Sequence, residues 1–514
     1  MNKATLTAAL ALAVLGTAVL GTAAQAAPTK PARTKPAHIK PAHIKPAPTK
    51  PAPTKPTPTV AGDWGGTLNA GGTQLRLVVH FTPKAGGGLT GTVDSLDQGA
   101  NGIPFSLVRQ TGGSIHAEAA VIKAVYDGAL DAAGQTVTGH WTQVVPLPLT
   151  LTRMTAGMQA ALLRNDRPQE PKPPYPYAAS DVVFPGGAPD VSLAGTLTLP
   201  PASAGAGPFP GAVLVAGSGP NDRDETILRH KLFLVLADSL TRRGIAVLRY
   251  DKRGVGKSTG SYALATSRDF ADDAQAAFSY LKAQPRVDAK KVGLIGHSEG
   301  GLIAPLVAAR APDVAFLVLL AGTGVPGERI IAEQSALIGK AEGASESDVA
   351  QGQVLEKKML AVAATQTDPA VARGQIASLL RQSLASLTPA QKKKIGDTGP
   401  LLQAQSAALV SPWFRYFLTY DPAPTLKQVR CPVLALDGSL DLQVPPAENL
   451  AAIGAALKAG GNADVTATEL PGLNHLFQTA HTGSPSEYGR IEETMAPAAL
   501  AAVGDWVAAR ERGR

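Results

Sequence analysis

The strongest constraint on this fold is a succession of short apolar runs that do not alternate with polar residues. After a strand-like segment at 191–199 they fall at 212–215, 245–250, 292–295, 315–320 and 433–436, with a last strand pattern at 465–470. A strand with one wet face alternates apolar and polar residues, so an unbroken run reads as a strand covered on both faces. Stretches of helical periodicity lie between them, at 231–243, 268–282, 302–310 and 446–458. Strands alternating with helices predict a parallel sheet covered by helices, an α/β architecture. In such sheets ligands and reacting groups gather at the carboxyl ends of the strands. Each strand exit is therefore a place to look for chemistry.

The run at 292–295 exits into Gly296, His297, Ser298, Glu299 and Gly300, and an apolar helix follows at once. This is G-x-S-x-G in its strand-to-helix setting, where a sharp turn presents the serine and flanking glycines let strand and helix approach without a Cβ clash. Ser298 is the candidate nucleophile, and His297 is expected to point away from the site. A serine needs a base, itself oriented by an acid. The run at 433–436 exits into Asp437, Gly438, Ser439, Leu440 and Asp441, and the strand at 465–470 into Pro471, Gly472, Leu473, Asn474 and His475. His475 is the candidate base. Of the two carboxylates, Asp441 has the better reach, lying three residues beyond the turn glycine, and Asp437 reads as a turn cap.

An oxyanion needs N–H donors. The exit of 212–215 is Ala216, Gly217, Ser218, Gly219 and Pro220, so the backbone N–H groups of Ser218 and of Glu299 are the expected pair. Asp222, Arg223 and Asp224 follow and are expected to pin this loop by ion pairing. The stretch from Asp251 to Ser258 ends in G-K-S but has Asp where a phosphate-binding loop needs Gly, so it reads as a loop near the site and not as a nucleotide cradle.

With these residues in place the chain resembles the α/β-hydrolase superfamily over roughly 180–510. Gly217-Ser218-Gly219-Pro220 with Asp222-Arg223-Asp224, Asp251-Lys252-Arg253-Gly254, the Ser298 elbow and Gly472-Leu473-Asn474-His475 are similar to bacterial secreted serine esterases with a small β domain in front. The resemblance implies an α/β-hydrolase fold and hydrolysis of a small-molecule carboxylic ester by Ser298, His475 and Asp441, with no metal and no cofactor. It extends to serine aminopeptidases, so a serine peptidase or amidase stays open. So does an envelope-binding protein with a vestigial hydrolase domain. Where many members have a His-Gly oxyanion motif, this chain has Ala216. The catalytic domain is expected over 180–514, interrupted at about 325–428 by a helical cap whose Trp413, Phe414, Tyr416, Phe417 and Tyr420 either wall the substrate pocket or pack the cap on the core. Lys392 to Lys394 read as a solvated face.

The front of the chain is built differently. Residues 1–26 have Lys3, a long small-apolar stretch and an A-x-A ending, the pattern of an export signal, which predicts a periplasmic or extracellular protein with no transmembrane helix after cleavage. Residues 27–59 repeat Lys-Pro every five residues, a semi-rigid polyproline-type linker. This tail explains the net charge of +8: residues 1–60 hold eight of the 48 basic residues and no acid, which leaves the rest balanced at 40 and 40. A nucleic-acid-binding body is thereby disfavoured. Electrostatic contact of the tail with an anionic envelope is one reading, a solvated linker the other. Residues 60–155 alternate in short runs between turn residues and predict a small antiparallel sandwich or barrel with Trp64 and Trp141 in its core. A Pro-rich linker at 156–179 joins it to the catalytic domain. Cys431 is the single cysteine, so no intramolecular disulfide exists. It opens an apolar run and is expected in the core.

Overall fold

The computed structural model of the chain describes residues 58–70, 73–96, 100–143, 145–155, 157–158, 167–385 and 399–512. The expected signal segment, nearly all of the Lys-Pro tail and Lys392 to Lys394 lie outside the described residues. No helix among the described residues is long and apolar enough to cross a membrane.

The front sheet is one antiparallel meander of nine strands: β1 (Gly62–Ala70), β2 (Thr73–Pro83), β3 (Leu89–Ser95), β4 (Ala100–Pro104), β5 (Leu107–Thr111), β6 (Ser114–Ala119), β7 (Ala124–Leu130), β8 (Thr136–Thr142) and β9 (Pro146–Arg153). Its strand order is β4-β3-β2-β1-β9-β8-β7-β6-β5, so the chain starts in the middle and the two edges are consecutive strands joined through Phe105 and Ser106. The curled sheet is thus a half-barrel. Alternation along β3 and β6 puts every second side chain inside, as a pleated strand requires. Trp64 and Trp141 both lie in that core, and the Trp64 indole donates to the Val60 carbonyl at 2.7 Å. An indole buried without such a partner would cost stability.

The second sheet has eight strands: β10 (Ala178–Pro185), β11 (Ser192–Leu199), β12 (Phe209–Val215), β15 (Ala246–Tyr250), β16 (Val287–His297), β17 (Leu317–Leu320), β18 (Val433–Gly438) and β19 (Val465–Leu470). The remaining pair, β13 (Thr226–Ile227) and β14 (His230–Lys231), forms a small separate hairpin. The order β10-β11-β15-β12-β16-β17-β18-β19 is parallel except for β10 and β11 at one edge. The unbroken apolar runs are the parallel strands. One face packs Phe278, Ile303, Leu281 and Val307, the other Phe233, Leu236, Val503 and Val507. These come from α1 (Leu232–Arg242), α2 (Ser267–Lys282), α3 (Glu299–Ala308) and the C-terminal helix Pro497–Arg512. Each fully buried side chain of this kind contributes about 1.5–3 kcal/mol. α2 begins at a reciprocal cap, in which Thr266 accepts from the Asp269 N–H and Asp269 accepts from the Thr266 N–H, satisfying donors that a helix start leaves open.

Between β17 and β18 the chain leaves the sheet and builds the cap from α4 (Gly327–Ala341), α5 (Glu346–Thr365), α6 (Pro369–Ala385), α7 (Gly399–Leu409), α8 (Pro412–Thr419) and the single turn α9 (Ala423–Leu426). It has its own apolar core around Ile330, Met359, Ile376 and Phe414. Cys431 is half-buried at the edge of the main core and not inside it, because its run becomes enclosed only from Pro432 onward.

The central strand exit is the tightest place in the fold. Ser298 sits at φ 53° and ψ −116°, outside the regions open to most residues, at a cost of about 1–3 kcal/mol. A Cβ on Gly296 would lie 2.0 Å from the Gly300 carbonyl oxygen, and one on Gly300 would lie 1.9 Å from the Val215 carbonyl oxygen. Both contacts are with backbone and cannot yield. Gly300→Ala is therefore expected to force β12 and α3 apart and lower stability by roughly 3 kcal/mol or more. Urea unfolding would reveal it, and an unchanged midpoint would show the turn to be looser than its geometry.

Candidate active site

Ser298 and His475 open onto one cleft at the carboxyl ends of β12, β16 and β17, a space of about 400 Å³ continuous with solvent. The loop after β19 brings His475 there, and the loop after β18 brings Asp441 behind it. His475 Nδ1 lies 2.6 Å from Asp441 Oδ2. Asp441 Oδ1 already accepts from the backbone N–H groups of Gln443 at 2.7 Å and Val444 at 2.9 Å. A carboxylate holding two such donors is an acceptor, so the proton of that short bond sits on Nδ1 and leaves Nε2 free as a base.

Asp437 lies in the strand and does not reach His475. One of its oxygens accepts from the Gly438 N–H at 2.8 Å, and the other has no partner among the described residues. Burial, and then the Asp441 carboxylate beside it, push its acid well above the usual carboxylate range.

The loop Ala216 to Pro220 passes directly over Ser298: a Cβ on Gly217 would come 3.1 Å from the Ser298 Cβ. The Gly217 N–H is taken by Glu225 Oε1 at 2.6 Å. The N–H groups of Ser218 and Glu299, the expected donor pair, have no acceptor among the described residues. The loop is held from several sides. Asn221 donates to the carbonyls of Gly217 and Ser218 at 2.8 and 2.9 Å. Asp222 caps the following turn through the Thr226 N–H, while Arg223 pairs with Asp251 and Arg249 with Asp224. Ion pairing across Asp222 to Asp224 does pin the loop.

As expected, His297 points away from the cleft and is not part of its lining. It is buried, with Nδ1 3.0 Å from Glu225 Oε1 and Nε2 3.0 Å from the His475 carbonyl oxygen. Both neighbours accept, which favours the charged ring that donates from both nitrogens. Burial opposes that charge, but the Glu225 carboxylate outweighs it and leaves the pKa above the ordinary histidine value. Glu225 and His297 thereby tie the Gly217 loop to the His475 loop.

A second buried pair lies on the other side of the serine. Glu299, side chain 1% exposed, meets Lys252 at 3.0 Å, and the Lys252 ammonium also donates to the Gly217 carbonyl at 2.5 Å. Ser267 and the indole of Trp413 each donate to the remaining Glu299 oxygen at 2.7 Å. Trp413 belongs to α8, so one carboxylate joins the serine turn, the Gly217 loop and the cap. The cap aromatics divide accordingly. Trp413 and Phe417 line the cleft and stack on each other, Phe414 is buried in the cap core, and Tyr416 stacks on Tyr420 at its edge.

Sequence reasoning missed Glu225, Lys252 and the role of His297. Their partners lie 72 and 47 positions away along the chain, and a single Glu or Lys in a polar loop carries no periodic or motif signal. No group of three or more His, Cys, Asp or Glu side chains among the described residues could hold a metal ion.

Residues 230–408 match the family model described as serine aminopeptidase, S33. Over 142 residues the chain is 39% identical to Esterase EstD of Thermotoga maritima, a stretch covering 28% of this chain and 33% of that esterase. The chain thus spans about a third of the length of this curated relative. Among solved structures it is similar to an esterase of Pyrococcus furiosus, with 16% identity, TM-score 0.36 and coverage of 57% of this chain and 83% of that one. A thermophilic esterase from Thermogutta terrifontis gives 19% identity, TM-score 0.36 and coverage of 64% and 99%. Its sheet order, its serine turn and the family model that its central segment matches give the chain an α/β-hydrolase fold behind its front β sheet.

Proposed function

We propose that the protein hydrolyses carboxylic esters through an acyl-serine intermediate. The observation that carries this reading is the 2.6 Å bond from His475 to Asp441 behind the cleft onto which the turn serine opens. In this mechanism His475 Nε2 removes the Ser298 proton as Oγ attacks the ester carbonyl. The oxyanion takes the N–H bonds of Ser218 and Glu299, the alcohol leaves with the proton from His475, and the same base then activates water to release the acid. Asp441 holds the imidazole in the required tautomer and stabilises its charged form.

One feature favours an ester over the N-terminal amino group that an aminopeptidase must grip. Glu299 is the single acid lining the cleft among the described residues, and Lys252, Ser267 and Trp413 already use its oxygens. No carboxylate is left to receive a substrate ammonium. Esterase EstD, the curated relative, is an esterase by name, which agrees with this reading. The pattern at 1–26 supports export to the periplasm or the medium, and the seven cations of the 27–59 tail support electrostatic contact with an anionic envelope.

Hydrolysis of short p-nitrophenyl esters, run beside aminoacyl p-nitroanilides, tests the assignment. Wild type is expected to cleave the esters and Ser298→Ala to cleave neither while unfolding at the same temperature; appreciable ester turnover by the alanine variant would refute the acyl-serine route. Asp441→Asn should lower kcat by roughly 10⁴-fold, whereas Asp437→Asn should stay active, since an amide mimics the protonated acid. The second variant also carries a pH signature. Folded wild type keeps the Asp437 proton longer than the unfolded chain does, so wild-type stability falls as pH rises above about 4, where a free aspartate ionises. Asp437→Asn lacks this loss and should gain over wild type as pH increases. Parallel stability curves for the two proteins would mean that Asp437 is ionised in the fold.

A further inference from the structure

Helix α4 lays one stripe of residues, Ile330, Ile331, Gln334 and Ile338, against the interior of the protein. The spacing is that of a helix face turned to a core, and Gln334 is its one polar member. At 9% exposure its amide makes no hydrogen bond to any described residue, although Gln334 lines the cleft that holds Ser298 and His475. Its amide is not one of the fully enclosed unpaired groups, so it is turned to the cleft and its water. The neighbouring Thr323, 3% exposed and in the same lining, has a hydroxyl that also lacks a partner among the described residues. Ile330, Ile331, Phe417 and Val444 supply the apolar part of the lining, and its second amide, Gln443, is already committed, donating to the Tyr488 hydroxyl at 3.0 Å.

The arrangement is an apolar slot with polar groups set into one wall, beneath the cap and beside the nucleophile. Resting on the esterase reading, we propose that Gln334 is a specificity residue, and that the natural ester carries a neutral hydroxyl group on the part that enters this slot. The charge state follows from the surroundings. The one acid in the lining is neutralised by Lys252, so nothing there would balance a charged substrate group, while an amide offers both a donor and an acceptor to a hydroxyl. The selectivity follows from desolvation. Water satisfies an amide in an open cleft, and a ligand hydroxyl replaces that water at little cost, but a methylene in its place leaves the amide unpaired. A site built to bond a hydroxyl therefore rejects the analogue that lacks it, more strongly than an apolar pocket rejects an extra one.

The hydroxyl can lie on the acid or on the alcohol, and two matched pairs of esters separate these. Phenyl butyrate with phenyl 3-hydroxybutyrate varies the acid, and butyl acetate with 3-hydroxybutyl acetate varies the alcohol, all followed by titration of the released acid. In one pair, wild type is expected to favour the hydroxylated ester by about tenfold or more in kcat/KM. Gln334→Met, of equal length and apolar, should bring that ratio close to one by lowering kcat/KM on the hydroxylated ester far more than on the plain one; Gln334→Leu serves if the methionine variant does not fold. A residue that merely packed the cap would lower both members of a pair together. Ratios near one in both pairs for wild type, or a ratio that survives in the variant, would overturn the proposal and leave the esterase reading standing. Failure of wild type to cleave any of the four esters would overturn the esterase reading and this proposal with it.

Discussion

A carboxylate is buried one residue after the nucleophile, and the site is organised around neutralising it. Removing an ionised Glu from water costs several kcal/mol unless a cation and hydrogen-bond donors replace the solvent. Glu299 receives all of these, from Lys252, Ser267 and Trp413. Because Lys252 spends a second bond on the Gly217 carbonyl, the same charge balance fixes the loop that passes over Ser298. Breaking the pair by removing one partner would strand a charge in a dry place. The side chain of the residue after Ser298 is thus the knot that holds three separate elements in register.

The opposite flank repeats the device with other residues. His297 and Glu225 form a buried charged pair whose spare bonds go to the Gly217 N–H and the His475 carbonyl. Two independent electrostatic ties therefore converge on one short loop, from the β16 side and from the β15 side. Catalysis by preorganised dipoles depends on donors that do not reorient when charge develops. Here rigidity is obtained from buried charge at the edges of the site, while Ser298 itself carries backbone strain that the crowded glycines around it maintain.

Much of this was legible in the sequence, for definable reasons. Parallel strands are enclosed on both faces, so β12, β16, β17 and β18 announce themselves as unbroken apolar runs. The order of Ser298, Asp441 and His475 follows from reading what each run exits into. Strand β10 was not legible: it is an antiparallel edge strand with mostly exposed residues and one buried anchor, Phe184, and nothing in its composition separates it from the linker before it. β4 and β5 were hidden in the same way, being five-residue edge strands. Side-chain partnerships were the least legible, because Lys252 and Glu225 find their roles only across the folded sheet, and Gln334 differs from a surface glutamine only once the face of α4 is known.

The cap leaves the sheet at the end of β17 and returns at the start of β18, and these strands are hydrogen-bonded neighbours, with Leu317 beside Val433. Because the two strands are parallel, the insertion starts at the carboxyl end of β17 and must return along the sheet to the amino end of β18, a crossover and not a tight turn. A crossover accepts segments of different length and shape outside the sheet, and its exchange changes the roof while the charged ties keep the floor fixed. The molecule is in this sense two devices with different tolerances to change: a floor tied together by buried charge, and a roof that meets it through the Trp413 indole, the Arg329–Glu448 pair and the bond from Ser484 to Glu342, and that can be rebuilt for another substrate provided that such contacts, or their equivalents, are kept.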